Sequence, residues 1–225
     1  MENPPAYPHV PLAFERLPEA EMTRRALDFF QWMNKRRSVR FFSDASVPRV
    51  CIEQAIQTAG TAPSGAHRQP WKFVAISNAS LKHQLRMAVE AEERRSYESR
   101  MPQEWLKALA PIGTNWEKPF LEQAPWLVVC FEEIHGVTPD GGKQKNYYVQ
   151  ESCGIACGLF IAAIHNMGLA TLTHTPSPMG FLSTLLRRPA NERPFMLFPV
   201  GYPSLDVNVP DFTRKPLSEL SIWYE

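Results

Sequence analysis

No CxxC pair, no disulfide framework and no apolar run of bilayer length occur in these 225 residues. Each absence removes a class of protein. The four cysteines, Cys51, Cys130, Cys153 and Cys157, are scattered among apolar neighbours, which reads as a reduced interior rather than a stapled, secreted scaffold. Cys153 and Cys157 stand one helical turn apart, and a third ligand would complete a metal site. The apolar setting favours small core side chains instead, so no metal is expected. The longest uncharged apolar run, residues 153–164, falls short of the ~20 residues that cross a bilayer. Residues 1–20 carry Pro4, Pro5, Pro8, Pro11 and Pro18, without the apolar segment of a secretory leader. Neither GxGxxG nor GxxxxGK[ST] is present, which excludes a Rossmann fingerprint and a P-loop. A net charge of +1 supplies no broad field for nucleic acid or membrane surfaces. No internal repeat is visible.

What is there suits one globular domain over residues 1–225. Hydrophobic residues make up 44% and charged residues 21%, ordinary proportions for a chain with a good core. Residues 1–21 read as an extended arm, and 205–225 as an irregular tail punctuated by proline. Helices are expected at 22–35, where Ala26, Phe29, Phe30 and Met33 recur at helical spacing and form an inward face, and after Pro48, where Ile52, Ala55, Ile56 and Ala59 do the same. Residues 81–100 form a long charged helix near the surface, and residues 101–122 hold weaker, mobile helical segments. Residues 147–167 form a helix buried on all sides, and 181–187 a short one. Strands are expected at 38–42, 71–76, 126–131, 169–173 and 195–200, with a Gly-rich loop at 136–142. Strict βαβ alternation is missing, so the fold class is α+β.

Three segments point to a binding site. Residues 61–71 join a helix to a strand through Pro63, Ser64, Gly65, Ala66, His67 and Arg68, small and turn-forming residues that let backbone amides face a ligand. Basic clusters lie at residues 36–40 and at Arg214 and Lys215. Guanidinium groups suit phosphate oxygens. Together they suggest a pocket for an anionic, planar cofactor.

Taken in order, Arg36-Arg37-Ser38-Val39-Arg40, Ala62-Pro63-Ser64-Gly65-Ala66, Gln69-Pro70-Trp71, Pro199-Val200-Gly201-Tyr202-Pro203 and Arg214-Lys215-Pro216 resemble the FMN-dependent nitroreductase superfamily, and within it the iodotyrosine deiodinases. The resemblance covers residues 22–220. It implies a central mixed sheet flanked by helices in an intertwined homodimer, with the C-terminal tail reaching the partner and two FMN sites lined by both chains. It also implies that Arg36, Arg37, Ser38 and Arg40 contact the phosphate and ribityl side of FMN, that Arg214 helps hold the phosphate, and that Pro63, Ser64 and Gly65 pass along the flavin. The resemblance places Thr173 and Thr175 in the same cofactor-binding set. It implies that Thr175 is the catalytic residue, its hydroxyl serving flavin N5 as donor or acceptor. His174 departs from a Thr-rich family pattern; it fills space or contacts the phosphate side and receives no catalytic role.

Within the resemblance, Glu93, Tyr97 and Lys118 match the groups that grip the amino-acid end of a halotyrosine. Glu93 and Tyr97 are four apart and share a helix face. A zwitterion needs a carboxylate for its ammonium and a cation for its carboxylate. Ala66 would offer its backbone N–H to the substrate phenolate. Residues 92–118 would close as a lid that excludes water. The reaction implied is reductive dehalogenation: 3-iodotyrosine or 3,5-diiodotyrosine gives tyrosine and iodide, with two electrons passing through FMN from NAD(P)H or a reductase. Two alternatives stay open, a general NAD(P)H-dependent nitroreductase and a non-catalytic protein that binds flavin and an aromatic amino acid. The membrane anchor that the resemblance gives to vertebrate members is not legible here, so a soluble, cytoplasmic chain is expected.

Overall fold

The computed structural model describes residues 7–225; residues 1–6 of the expected arm lie outside the described residues. The chain divides into two compact units, Met1–Arg36 and Arg37–Glu225. In the first, residues 7–18 form neither helix nor strand, and helix α1 (Glu19–Asn34) follows Pro18. No residue of α1 is buried. The face expected to point inward is therefore not buried: Phe29 and Phe30 are exposed and Met33 is half-buried, because helical spacing fixes a face but not its partner.

The second unit is built on a four-stranded sheet in the order β1-β2-β6-β5, comprising β1 (Trp71–Ile76), β2 (Trp126–Glu133), β5 (Ala170–Thr171) and β6 (Glu192–Gly201). Its ladders are all antiparallel. The expected mixed sheet is thus antiparallel among its named strands, and the parallel pairing is confined to an isolated bridge of Ser38 to Thr171. The strand expected at 38–42 amounts to that bridge and one from Phe42 to Pro203. The Gly-rich loop is a small hairpin, β3 (His135–Val137) with β4 (Lys143–Lys145).

Side chains of β2 alternate between two cores, as the period of two requires. Leu127, Val129 and Phe131 face a core completed by Leu85, Val89, Leu121 and Leu182. These come from α3 (Ala79–Arg95), α5 (Phe120–Gln123) and α7 (Phe181–Leu185). Val128 and Cys130 face Ile52, Ala55, Cys153 and Phe160, from α2 (Arg49–Gly60) and α6 (Val149–Asn166). Burial on both faces explains why β2 reads as a continuous apolar run.

Two expectations are corrected. Helix α6 is not buried all round: Ile155 is 47% exposed, and Gly154 and Gly158 have open space where a Cβ would stand. The uncharged composition of the segment could not show that one side lacks a neighbour within the chain. Helix α3 is not a surface helix throughout, since Lys82, Glu90 and Glu93 are buried along with Leu85 and Val89. The Asn78 side chain caps it, accepting from Leu81 N at 2.8 Å. After Arg95 the chain continues as one π turn, Ser96–Arg100, then α4 (Gln103–Leu109) and a 3₁₀ turn, Ala110–Ile112. The tail is irregular apart from α8 (Leu217–Leu220). Among the described residues no helix is long and apolar enough to cross a membrane.

Candidate active site

Helix α3 and its π turn form one wall of a cavity of about 380 Å³ in the second unit. That wall carries Glu93, Ser96, Tyr97 and Arg100; Leu172, Thr173, His174 and Thr175 also line the cavity, as do Arg40, Lys118, Phe120 and Trp105. Pi turns re-aim helix side chains and recur at functional sites. Here the turn keeps Tyr97 beside Glu93. The Ser96 hydroxyl donates to the Ser177 carbonyl at 3.1 Å.

The three residues expected to grip a zwitterion meet in this cavity. Lys118 Nζ lies 3.5 Å from Glu93 Oε2, with both side chains almost wholly buried. Nζ also donates to Thr114 Oγ1 at 3.2 Å and to the Asn115 carbonyl, and stands 5.5 Å over the Tyr97 ring. The Tyr97 hydroxyl donates to the Thr114 carbonyl at 3.4 Å. Burial is the main influence on each group. It raises the Glu93 carboxyl above its usual range against the pull of Lys118. It lowers Lys118 against the pull of Glu93. It raises the Tyr97 phenol, Glu93 adding to the effect. A buried carboxylate and ammonium that satisfy each other only loosely suit a ligand bearing both charges.

The sequence reading missed Glu90. Its Oε1 accepts from Lys118 N at 2.7 Å and from Arg86 Nε at 2.8 Å, so a second buried carboxylate pins the backbone that carries Lys118. Its legible signal was local: Arg86 four residues before it and Glu93 three after it place all three on one side of the helix. His174, left without a catalytic role, is buried, and its Nε2 has no hydrogen-bond partner. Burial foremost, then Lys118 and Arg40, push its pKa down to about 3. The ring is neutral near pH 7, so its approach of 3.8 Å to Glu93 Oε1 is not an ion pair.

Of the other expected residues, Thr173 and Thr175 line this cavity, and Arg40 joins it, half-buried and lowered by burial. The rest are not among its lining residues. Ser38 pairs with Thr171, and the Arg37 guanidinium donates to the Pro210 carbonyl. Arg36 ends the first unit, and Arg214 lies exposed in the tail. Pro63, Ser64, Gly65 and Ala66 form a separate loop over the start of α6, where Gly65 bridges Tyr147. Ala66, His67 and Gln69 have φ of 49°, 52° and 48°, a left-handed setting that costs a non-glycine residue about 1–3 kcal/mol and marks functional backbone. The Ser64 hydroxyl steadies the loop by accepting from Gln69 N at 2.9 Å.

Comparisons with known proteins identify relatives of the chain and of its fold. The nitroreductase family profile matches residues 33–202. The chain is 51% identical to the iodotyrosine deiodinase of Haliscomenobacter hydrossis over 224 residues, covering all of both chains. It is 46% identical to human iodotyrosine deiodinase 1 over 215 residues, 95% of this chain and 74% of the human one. A crystal structure of oxidized iodotyrosine deiodinase bound to FMN and 3-iodo-L-tyrosine superposes with a TM-score of 0.76 at 28% identity, covering 88% of this chain and 98% of that one.

Proposed function

The chain belongs to the nitroreductase family, and from that premise we propose that it is an FMN-dependent reductive dehalogenase that converts 3-iodotyrosine and 3,5-diiodotyrosine to tyrosine and iodide. The observation that carries this is the buried Glu93–Lys118 pair at 3.5 Å beside Tyr97 and Thr175. A nitroaromatic has no use for paired opposite charges in its pocket; an amino acid does. The identity with the bacterial and human deiodinases supports the same reading.

The residues fit FMN. Arg40 is half-buried and makes no salt bridge among the described residues, so an anion at its guanidinium would complete it. Gly65 packs where a Cβ would meet the Tyr147 carbonyl oxygen at 2.6 Å, so the glycine lets the loop backbone lie this close to Tyr147. Arg36, Arg37, Ser38 and Arg214 would hold the phosphate and ribityl side; Pro63, Ser64, Gly65 and Thr173 would border the ring. When bound and reduced, FMN supplies the two electrons that, with one proton, replace the aryl carbon–iodine bond by carbon–hydrogen and release iodide. The Thr175 hydroxyl holds a proton at flavin N5. Glu93 takes the substrate ammonium, Lys118 its carboxylate, and Tyr97 bridges the two. The Ala66 N–H donates to the phenolate oxygen. Residues 92–118 fold over the bound amino acid and exclude water.

The working unit is a homodimer. Within one chain the Pro63–Ala66 loop and Arg214 stand apart from the grip cavity, while the open side of α6 at Gly154, Ile155 and Gly158 and the exposed Trp223 of the tail offer apolar surface to a second copy. Electrons enter from NAD(P)H or a reductase. A sedimenting dimer is expected, and a monomer at micromolar concentration would contradict this assembly. The activity is tested by substrate preference. Holoprotein reduced without oxygen should be reoxidised faster by 3-iodotyrosine than by a nitroaromatic such as nitrobenzoate. The opposite order would select the nitroreductase alternative.

A further inference from the structure

We infer that His174 is a positioning residue for halotyrosine recognition, a neutral Nε2–H donor that orients the Glu93 carboxylate toward the substrate ammonium. This rests on the function proposed above. The two oxygens of Glu93 face different partners. Oε2 lies 3.5 Å from Lys118 Nζ, and Oε1 lies 3.8 Å from His174 Nε2. The Nε2 atom is fully enclosed and bonded to nothing, a state that costs about 1–3 kcal/mol unless a partner arrives. His174 is fixed from two sides. Its backbone exchanges hydrogen bonds with Leu197, N–H to carbonyl at 2.8 Å and the reverse at 3.0 Å. Its ring meets Phe120 edge-on at 5.7 Å between centroids. The histidine is therefore the fixed member, and Glu93, on the helix beside the π turn, is the one that moves.

The chemistry favours a neutral donor at this place. When a zwitterion binds, its carboxylate draws Lys118 away from Glu93. The carboxylate of Glu93, already penalised by burial, then needs a second donor to stay ionised. A cation there would compete with the substrate ammonium and repel Lys118 and Arg40. A neutral imidazole does neither. The tautomer follows from the same contact, since an Nε2 lone pair facing a carboxylate oxygen would be repulsive while an N–H is attractive. A separation of 3.8 Å tightens to a hydrogen bond with a shift of under about 1 Å, as ligand-free sites commonly do on binding.

The test is a double-mutant cycle on the FMN-loaded dimer, reading the Kd for 3-iodotyrosine from the change in flavin absorbance. His174→Leu is expected to raise Kd about 10-fold in the wild-type background but under about twofold in the Glu93→Gln background, because the imidazole acts through that carboxylate. His174→Gln, whose amide N–H₂ reaches the place of Nε2, should restore affinity to within about threefold and covers the case in which the leucine variant folds poorly. Equal losses in both backgrounds, or a glutamine variant as weak as the leucine one, would show a packing role and overturn the inference. No loss in either variant would overturn it as well. A wild-type protein that holds FMN but does not bind 3-iodotyrosine is a separate result, and it would remove the proposed function along with this inference.

Discussion

Glu93→Gln is expected to weaken 3-iodotyrosine binding by about 30- to 1,000-fold while leaving FMN bound. The range follows from about 2–4 kcal/mol for truncating one partner of a buried, hydrogen-bonded charge pair, converted at about 1.4 kcal/mol per tenfold. Glutamine keeps the shape and a carbonyl for the Lys118 ammonium but cannot balance the substrate's positive charge. In the free protein the amide leaves the buried Lys118 ammonium without its carboxylate, and removing one partner of a buried pair destabilises. The Glu93 carboxyl is raised by burial, so the folded state holds its proton more tightly than the unfolded state does. Stability from this group is therefore present in acid and lost as pH rises through the folded pKa. The expected signature is a lower Tm together with a large loss of ligand affinity. Isothermal titration of the variant and a melting curve check both halves. A drop in FMN affinity as large as the drop in halotyrosine affinity would make Glu93 a structural residue instead.

Gly65→Ala is expected to have the second large effect, on the fold of the cofactor loop. A Cβ at this position would lie 2.6 Å from the Tyr147 carbonyl oxygen, 2.9 Å from its Cβ and 3.0 Å from its carbonyl carbon. Two of these atoms are backbone, so no side-chain rotation relieves the overlap. Gly65 N also donates to Ser152 Oγ at 3.4 Å, and Ser152 in turn donates to the Tyr148 carbonyl at 2.5 Å. Pushing Tyr147 away thus disturbs the start of α6. The cost is about 1–3 kcal/mol, as for other overpacked sites, or roughly 2–12 °C in Tm for a chain of this size. Because the same loop would border the flavin, FMN retention on dialysis should fall with it. Unchanged stability and unchanged flavin content would show that the loop has slack that these contacts do not reveal.

The parts of this protein that were legible in its sequence are those set by local period and local sterics. Strand β1 came out at its observed bounds because aromatic and β-branched residues fill it. Strand β2 was recognisable from an apolar run that serves two cores, and α2 from Pro48 and the spacing of Ile52, Ala55 and Ala59. Glu93, Tyr97 and Lys118 were named by resemblance, and helical spacing agreed for the first two. What stayed hidden depends on distant packing. The inner side of α3 looks like solvent-facing charge until Lys82 is seen donating to the Glu122 and Ala124 carbonyls and Glu90 holding Lys118. The open side of α6 and the uncovered face of α1 are invisible for the converse reason, since a missing neighbour leaves no mark on a hydrophobic pattern. His174 went without a catalytic role because its meaning lies in an enclosed nitrogen 3.8 Å from a carboxylate 81 positions earlier.

The central claim is that this cavity uses reduced FMN to remove halide from a halotyrosine held by its charges. The most direct test is the yield of iodide when fully reduced holoprotein meets excess 3-iodotyrosine without oxygen or added reductant. The account predicts one iodide and one tyrosine for each FMN reoxidised. Reoxidation without iodide, or stable binding of 3-iodotyrosine with the flavin still reduced, would contradict it.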